Sequence, residues 1–466
     1  MSRFDPAEAS ALDIARAVAH GATTASAVVD AVLNRIASLN PVLNAFTDMT
    51  VDRARARATS IDARRAKGEP VGPLAGVPFA VKNLYDIAGL PTRAGSKINR
   101  ELPPARRDSP LIERLEAAGA VLVGALNMGE YAYDFTGENV HDGPSRNPHD
   151  HARMTGGSSG GSGGAVAGRL VPLALGSDTN GSIRVPSSLC GVFGLKPTYG
   201  RLTRARTFPF VASLDHVGPF ARSAADLAAS YDAMQGPDAD DPVCAARLAE
   251  PAAPTLAAGL DGLRIASAGG YFSRGLSSEG HAALSTVVAA LDVTREVEWP
   301  EAAQARAAAS VITCAEGAAL HLDRLRTRPQ DFDPAVRDRL IAGAMVPAGM
   351  VLQAQKLRRW YQSRVLQLFK EVDAVLLPAT PCTAPRIGQE TFTLDGVEMP
   401  VRANLGIYTQ PISFIGLPVV AVPVPLTPLP IAVQIVAAPW REDAALRIAY
   451  ALEERGVAAA PKPAVW

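Results

Sequence analysis

A lysine stands inside what otherwise reads as a buried strand. Lys82 belongs to the run 76–85, Gly-Val-Pro-Phe-Ala-Val-Lys-Asn-Leu-Tyr, in a chain whose basic residues are mostly arginine. Burying an ammonium group is strongly unfavourable unless the group is paired or loses its proton. We therefore expect the fold either to bring an acid such as Asp86 to this lysine or to hold it as a neutral amine.

Two serine-bearing segments follow Lys82 in the chain. Residues 155–164 read Thr-Gly-Gly-Ser-Ser-Gly-Gly-Ser-Gly-Gly, and residues 177–184 read Ser-Asp-Thr-Asn-Gly-Ser-Ile-Arg. A buried lysine combined with serines in glycine-rich turns favours a hydrolase whose base is a neutral amine and not a histidine.

The glycine–serine segment has other interpretations. A flexible linker has this composition, but apolar sequence adjoins the segment and a helix start follows it directly. A phosphate loop is disfavoured because no Gly-Lys-Ser/Thr follows and Val166 breaks the dinucleotide pattern. A G-x-S-x-G nucleophile elbow fits Ser158 or Ser162 and stays open, since it needs a later acid and histidine. The histidines available for it are His216, His281 and His321. An S-x-x-K site is excluded, because no lysine has a serine three residues before it.

Composition narrows the class of substrate. The chain has 466 residues with 46 basic and 46 acidic side chains, so its formal net charge is zero. No basic excess indicates direct nucleic-acid binding, and a small-molecule substrate is favoured. Residues 1–8 contain no apolar signal region, and four scattered cysteines are typical of reduced thiols. We therefore predict a cytoplasmic location.

One long uncharged stretch resembles a membrane span by length alone. Residues 403–440 carry no charged side chain, but they contain seven prolines. Such a density of proline forbids a continuous helix. We interpret the apolar runs 419–422 and 431–436 as buried strands, and predict no membrane association.

The remaining pattern alternates strands and helices. Helices are predicted at 7–38 (two, divided at Gly21), 53–67, 109–118, 164–169, 334–341 and 348–368. Strands are predicted at 77–81, 121–124, 170–175, 191–195, 263–266 and 372–377. Such alternation indicates an α/β sheet covered on both faces. We predict one domain over residues 1–466, with a core at about 65–220 and 370–455, N-terminal helices at 7–67, and a peripheral, mostly helical region at about 224–370.

The chain resembles the amidase signature family. The resemblance is carried by Gly-Gly-Ser-Ser-Gly-Gly at 156–161 and Asp-Thr-Asn-Gly-Ser-Ile-Arg at 178–184. Further family-like segments lie at 73–82, 190–198, 214–219, 416–419 and 433–436. The resemblance implies the amidase signature fold, in which one large twisted mixed β-sheet is covered by helices on both faces.

The same resemblance implies a catalytic set. Ser182 resembles the nucleophile, Ser158 the bridging serine and Lys82 the ultimate base, in a Ser-Ser-Lys triad that works through an acyl-enzyme. The oxyanion hole implied is formed by the backbone N–H groups of Thr179, Asn180, Gly181 and Ser182. The family needs no cofactor or metal, and it often holds the bridging serine in a cis peptide, here Gly157–Ser158.

Departures from the family pattern bear on the substrate. Asn83 stands where many relatives have Asp, and Asn180-Gly181 where many have Gly-Gly; Asn tolerates left-handed backbone angles, so the turn can survive. With segments 96–100 and 136–148, these residues resemble most the 1-carboxybiuret hydrolase subgroup. That subgroup releases ammonia from a ureide in s-triazine or ureide nitrogen metabolism and has a small helical partner protein. Formation of a homodimer is also expected. The catalytic component of a tRNA-dependent amidotransferase and a general amidase, such as an indoleacetamide hydrolase, stay open.

Several further residues are candidates for lesser roles. Arg184 either binds a substrate carboxylate or pairs with an acid, and Tyr408 and Gln410 are candidate pocket residues. Cys190 is interpreted as a buried packing thiol. Three histidines lie close to Asp142 and Asp150, but without the spacing of a metal motif, so we predict a loop near the mouth of the site and no metal there. They are His141, His149 and His151.

Overall fold

The computed structural model describes residues 4–464. Residues 1–3 and 465–466 lie outside the described range, and with them the first part of the segment for which no signal sequence is predicted. The two predicted N-terminal helices are present as α1 (Ala11–Ala19) and α2 (Ala25–Leu43). Thr24 caps α2 by accepting a hydrogen bond from the Ala27 N–H, as polar residues commonly do at this position.

The strands of the described chain, in sequence order, form one large sheet and two small hairpins. They are β1 (Phe46–Met49), β2 (Pro78–Lys82), β3 (Val121–Leu126), β4 (Arg146–Asn147), β5 (Asp150–Met154), β6 (Leu173–Asp178), β7 (Phe193–Lys196), β8 (His216–Ala221), β9 (Ile265–Ala268), β10 (Glu296–Val297), β11 (Ala374–Pro378), β12 (Thr391–Leu394), β13 (Val397–Pro400), β14 (Val419–Val424) and β15 (Ile431–Ala437).

The remaining helices pack around the large sheet or beyond its edge. They are α3 (Val51–Ala66), α4 (Pro110–Ala117), α5 (Gly160–Ala167), α6 (Arg184–Cys190), α7 (Ala224–Met234), α8 (Ser278–Ala290), α9 (Ala302–Thr327), α10 (Pro334–Ala344), α11 (Ala348–Leu368), α12 (Val401–Asn404), α13 (Gln410–Ser413) and α14 (Glu442–Glu454).

The large sheet is mixed. Within residues 4–464 it has eleven strands in the order β1-β3-β2-β6-β8-β7-β14-β15-β11-β9-β10. Strands β3, β2 and β6 run parallel, whereas β6, β8, β7, β14, β15 and β11 pair antiparallel in turn. Every residue of β6, β8, β14 and β15 is buried. Since successive side chains of a strand point to opposite faces, both faces of the central sheet are covered. The predicted α/β class is confirmed.

The parallel strands bring the predicted site residues to one edge. Val81 of β2 pairs with Leu175 of β6, so Lys82 at the end of β2 lies beside Ser177 of β6. The carboxyl ends of adjacent parallel strands are the usual place for a ligand site in α/β sheets. Both serine-bearing loops begin or end at this edge.

The glycine–serine segment differs from its predicted form. We expected a helix to start at 164, but α5 starts at Gly160 and contains four glycines and Ser162, all buried. Glycine is a poor helix former, so propensity argued for a later start. Tertiary packing overrides it, because a Cβ atom on Gly161 would collide with the carbonyl oxygen of Ala45 and with the backbone of Asn127.

No single helix within residues 4–464 is both long and apolar enough to cross a membrane. One bent pair, α10 with α11, meets the length and composition criteria only when its two members are taken together across a 96° bend.

The close packing of the central strands predicts the effect of one added methyl group. Gly218 lies in β8, and a Cβ there would collide with the carbonyl oxygen of Leu195 in the neighbouring strand β7. We expect Gly218→Ala to lower the free energy of unfolding by about 1–3 kcal/mol, as overpacking does. The matched control is Gly349→Ala in α11, where a Cβ meets open space. Chemical denaturation should show the control unchanged or more stable; equal stability of both variants would contradict the packing argument.

Candidate active site

The amine of Lys82 lies between two serine hydroxyls. Its Nζ donates to Ser158 Oγ at 2.7 Å and to Ser177 Oγ at 2.8 Å, and the side chain is fully buried. Among the described residues Lys82 forms no ion pair, and Asp86 instead accepts from the Thr92 hydroxyl. Burial lowers the pKa of Lys82 to about 7, against the opposing pull of Asp178. A substantial neutral fraction near neutral pH follows, as a base requires.

Ser158 is held by the loop that precedes it. The Gly157–Ser158 peptide is cis, as the family resemblance led us to expect. The Ser158 carbonyl oxygen accepts from Gly129 N–H at 3.2 Å, and Gly157 N–H donates to the Phe135 carbonyl oxygen at 2.9 Å. These contacts fix the backbone on both sides of the hydroxyl that faces Lys82.

A buried carboxylate anchors the neighbouring loop. Asp134 accepts from the N–H groups of Thr136 and Gly137, at 2.9 and 2.6 Å, and pairs with the Arg402 guanidinium. A Cβ on Gly157 would collide with the same carboxylate, so only glycine fits there. Asp134 therefore supports the approach to Ser158 from the side opposite Lys82.

Ser182 lies in the turn between β6 and α6. It is 2% exposed and contributes to the wall of a cavity of about 150 Å³. The Asp178 carboxylate accepts from Ile183 N–H at 3.1 Å and from Arg184 Nε at 3.0 Å, which closes the turn around Ser182. Burial alone would raise the pKa of Asp178, but the Arg184 guanidinium outweighs burial and holds that pKa far below its usual range.

Arg184 occupies the structural alternative of its two predicted roles. Its guanidinium is wholly buried, pairs with Asp178, and donates to the Thr409 carbonyl oxygen at 3.0 Å and Gln434 Oε1 at 2.7 Å. It also donates to the Ser413 hydroxyl. No edge of the guanidinium is left for a substrate carboxylate, and Arg184 does not line the cavity.

Backbone donors are free beside the nucleophile candidate. Within the described part of the chain, the N–H groups of residues 179–182 make no hydrogen bond. Gly181 has φ 144°, whereas Asn180 does not have a positive φ, so the tolerance of Asn for left-handed angles is not used. A Cβ on Gly181 would collide with the Thr409 hydroxyl. Unpaired N–H groups in a rigid turn are suited to an oxyanion.

The cavity wall opposite Ser182 carries arginines. Arg402 is already paired with Asp134 and Glu138. Arg339 of α10 forms no ion pair among the described residues: its Nε donates to the Ala335 carbonyl oxygen at 2.7 Å and its Nη2 to the Tyr133 carbonyl oxygen. Its Nη1 has no hydrogen-bond partner there. Arg339 thus offers a guanidinium edge to an anionic ligand.

The two predicted pocket residues separate. Gln410 lines the cavity, and its Oε1 accepts from Arg306 Nε at 2.9 Å. Tyr408 is fully buried away from the cavity, and its hydroxyl donates to the carbonyl oxygen of Arg274.

Sequence reasoning missed two residues of this site. Ser177 lies in one of the serine-bearing segments but received no role; the strand alternation that places it beside the end of the Lys82 strand was the available signal. Arg339 lies in a helix rich in arginine, and nothing in the sequence marks it apart from Arg337. Only the tertiary fold shows that it faces the cavity.

The nucleophile-elbow alternative finds no histidine. Ser162 donates to the Leu175 carbonyl oxygen, and His216 Nδ1 lies 2.7 Å from the Leu214 carbonyl oxygen. His321 packs among aromatic rings, 4.0 Å between centroids from Tyr131. In residues 4–464 no histidine contacts Ser158 or Ser162.

The loop histidines serve local structure. His141 Nε2 lies 2.9 Å from Glu130 Oε1, and His149 Nε2 lies 3.0 Å from the Cys190 carbonyl oxygen. His151 lies in β5. Cys190 itself is fully buried, and burial raises the pKa of its thiol.

Comparison with known proteins identifies the family. A family model described as Amidase matches residues 27–446. The chain belongs to the amidase signature family. It is 53% identical over 450 residues to the 1-carboxybiuret hydrolase protein AtzE of Pseudomonas sp. (strain ADP), covering 96% of this chain and 98% of the relative. It is also 37% identical over 472 residues to the A-type component of the glutamyl-tRNA(Gln) amidotransferase of Azotobacter vinelandii, covering 95% and 96%.

Solved structures agree with this assignment. An inhibitor-bound s-triazine catabolic enzyme, described as part of a vestigial protein complex, has a TM-score of 0.96 and 52% identity to this chain. It covers 97% of this chain, and its own chain is covered completely (100%). A crystal structure of an amidase matches with TM-score 0.85 and 30% identity over 96% of this chain. The chain is therefore an amide hydrolase of the amidase signature type, and the predicted family and fold are confirmed.

The lowered pKa of Lys82 predicts the pH dependence of turnover. The base must be neutral to accept a proton, so kcat/KM should rise with pH, reach half its maximum near the Lys82 pKa of about 7, and then level off. Initial rates of ammonia release from about pH 5 to about pH 9 would measure this. Lys82→Met should lose at least about 100-fold in kcat/KM, while the exposed control Lys97→Met should keep the wild-type profile. A profile that falls through neutral pH would contradict the neutral-amine base.

Proposed function

We propose that this amide hydrolase cleaves the terminal carboxamide of a carboxylated ureide, 1-carboxybiuret, and releases ammonia in s-triazine nitrogen metabolism. The observation that carries the substrate assignment is Arg339, a guanidinium without an acidic partner on the wall of the same small cavity as Ser182. A cationic group in a confined cavity selects an anionic ligand. The 53%-identical relative is itself named a 1-carboxybiuret hydrolase.

In the proposed mechanism, Lys82 and the two serines form a proton relay. Ser182 Oγ attacks the carbonyl carbon while its proton passes to Ser158 Oγ, and the Ser158 proton passes to Lys82 Nζ. The tetrahedral intermediate collapses as the leaving nitrogen takes a proton back along the relay, which releases ammonia and leaves an acyl ester on Ser182. Water attacks the ester by the same relay and frees the acid. The 2.7 Å contact between Lys82 and Ser158 supports the first link.

The turn that carries Ser182 supplies the oxyanion donors in this proposal. The free N–H groups of residues 179–182 stabilise the negative charge that develops on the carbonyl oxygen. Such donors are typically worth about 3–4 kcal/mol of barrier each. The Asp178–Arg184 pair holds the turn without taking part in the reaction.

The second hydrogen bond of Lys82 also has a place in this scheme. Ser177 Oγ accepts from Lys82 Nζ, so the amine is held by two hydroxyls while its third direction is shielded by the buried strand. We infer that Ser177 fixes the direction of the Lys82 lone pair toward Ser158, as a positioning residue.

A homodimer and a small helical partner protein belong to the same proposal. A similar solved structure is described as a vestigial protein complex. The ammonia-release assay is therefore to be run with and without any small helical protein encoded beside this chain. A second function, the catalytic component of a tRNA-dependent amidotransferase, is favoured by relatives at 36–37% identity.

The first experiment is ammonia release by purified protein from 1-carboxybiuret, biuret, allophanate, glutamine, indoleacetamide and a fatty amide. We expect turnover of 1-carboxybiuret, and Ser182→Ala should abolish it. Ser162→Ala is the matched control, because that hydroxyl donates to the Leu175 carbonyl oxygen and faces no relay member. Turnover of glutamine alone would replace this proposal with the amidotransferase component.

Loss of the Arg339 charge should act on the anionic substrate. We expect Arg339→Met to raise KM for 1-carboxybiuret by about 100-fold, since charge-assisted hydrogen bonds contribute about 1.5–3 kcal/mol. Turnover of neutral amides should change little. The control is Arg337→Met on the same helix, whose guanidinium pairs with the exposed Asp338. Equal effects of Arg339→Met on charged and neutral amides would assign Arg339 a structural role.

A further inference from the structure

We propose that Asn180 and Thr313 together determine specificity for ureides over simple amides. The two side chains form a hydrogen-bonded pair on the cavity wall beside Ser182, in which Asn180 Nδ2 donates to Thr313 Oγ1 at 2.9 Å. We name these two residues the amide-reading pair. The inference rests on the proposed function and names the part of the substrate that these residues recognise.

The pair leaves one acceptor unsatisfied. Asn180 is 6% exposed, and its Oδ1 is buried without a hydrogen-bond partner among the described residues. A buried carbonyl oxygen that lacks a donor is costly, so most such oxygens in proteins are paired. A ligand N–H in the cavity would remove this cost, whereas a methylene group would not.

The pair also offers one donor. Thr313 is 3% exposed, and its oxygen already accepts from Asn180, so its own O–H is the group left to donate. No hydrogen bond from this hydroxyl proton is found within residues 4–464. The pair therefore presents an acceptor and a donor side by side, which complements an N–H and a C=O in one ligand.

A ureide has this pattern beyond its scissile carboxamide, and a simple alkyl amide does not. In 1-carboxybiuret an inner N–H and an inner C=O separate the cleaved amide from the carboxylate. With the carboxylate on Arg339 and the carboxamide at Ser182, the inner groups fall between these two walls, where the amide-reading pair also lies. A site built to hydrogen-bond a polar group discriminates strongly against an analogue that lacks it.

The backbone of the turn does not depend on the Asn180 side chain. The Asn180 carbonyl oxygen accepts from the Thr409 hydroxyl at 2.6 Å, and Asp178 closes the turn from the other side. The backbone angles at Asn180 lie outside the left-handed region, so other side chains fit there. Variants at Asn180 therefore test recognition and leave the Ser182 turn in place.

The test uses two stable ligands in a Ser182→Ala background, which binds without turnover. Malonurate keeps the carboxylate, the inner C=O and N–H, and the terminal carboxamide; glutaramate has a carbon chain of the same length without the inner polar groups. Dissociation constants are measured by calorimetry for Asn180→Ala and Thr313→Val. The matched control is Ser310→Ala, one turn earlier on α9, whose hydroxyl donates to the Arg306 carbonyl oxygen.

We expect each variant of the pair to weaken malonurate binding by about tenfold or more and glutaramate binding by less than about twofold. The double variant should lose less than the product of the single losses, because the two residues act as a unit. The control should bind both ligands as before. Equal losses for the two ligands, no loss for malonurate, or no malonurate binding to the Ser182→Ala protein would each overturn the inference.

Failure of the proposed function has a different signature. It would appear as no ammonia from 1-carboxybiuret with the otherwise wild-type protein, whatever the dissociation constants of malonurate and glutaramate. Turnover of 1-carboxybiuret that both Asn180→Ala and Thr313→Val leave unchanged, together with unchanged malonurate binding, would remove the amide-reading pair and keep the proposed function.

Discussion

The rest of this active site depends on one amine buried without a counter-ion. Lys82 lies under the sheet edge with only the hydroxyls of Ser158 and Ser177 as hydrogen-bond partners among the described residues. Burial without an acid disfavours the ammonium, and this lowers the pKa of Lys82 to about 7. An ion pair with Asp86 would have stabilised the charged form and removed the base. The fold instead leaves the charge unpaired, and the chemistry of the site uses the resulting neutral amine.

Around this amine the charges are divided between structure and recognition. Asp178 with Arg184, and Asp134 with Arg402, are buried pairs that hold the two serine-bearing loops. Removing one partner of such a pair leaves an uncompensated buried charge, which makes these loops rigid. Arg339 is different, because it has backbone oxygens for partners and, within residues 4–464, no acid. The same residue type thus positions the nucleophile in one place and faces a ligand in another.

Much of the site could be predicted from the chain. Lys82, Ser158 and Ser182 carry local signals, namely a charge in an apolar strand and serines in glycine-rich turns, and the structure places all three at one sheet edge. The adjacency of β2 and β6 explains why segments far apart in sequence meet. The helix α5 was predicted to start later than it does, because propensity does not include the packing of Gly161 against Ala45. Ser177 was missed, since its role depends on which strand lies beside it.

The sequence by itself determined the family, the α/β class and the identity of the base and serine candidates, because each depends on residues within short contiguous segments. The tertiary structure alone decided which arginine faces the cavity. Arg184 is two residues from Ser182 yet is consumed by Asp178, whereas Arg339 on the distant α10 lines the cavity with a free edge. Hydrogen-bond partners are shared out only when helices and sheet pack together, so nearness in sequence does not reveal which polar groups stay available to a ligand.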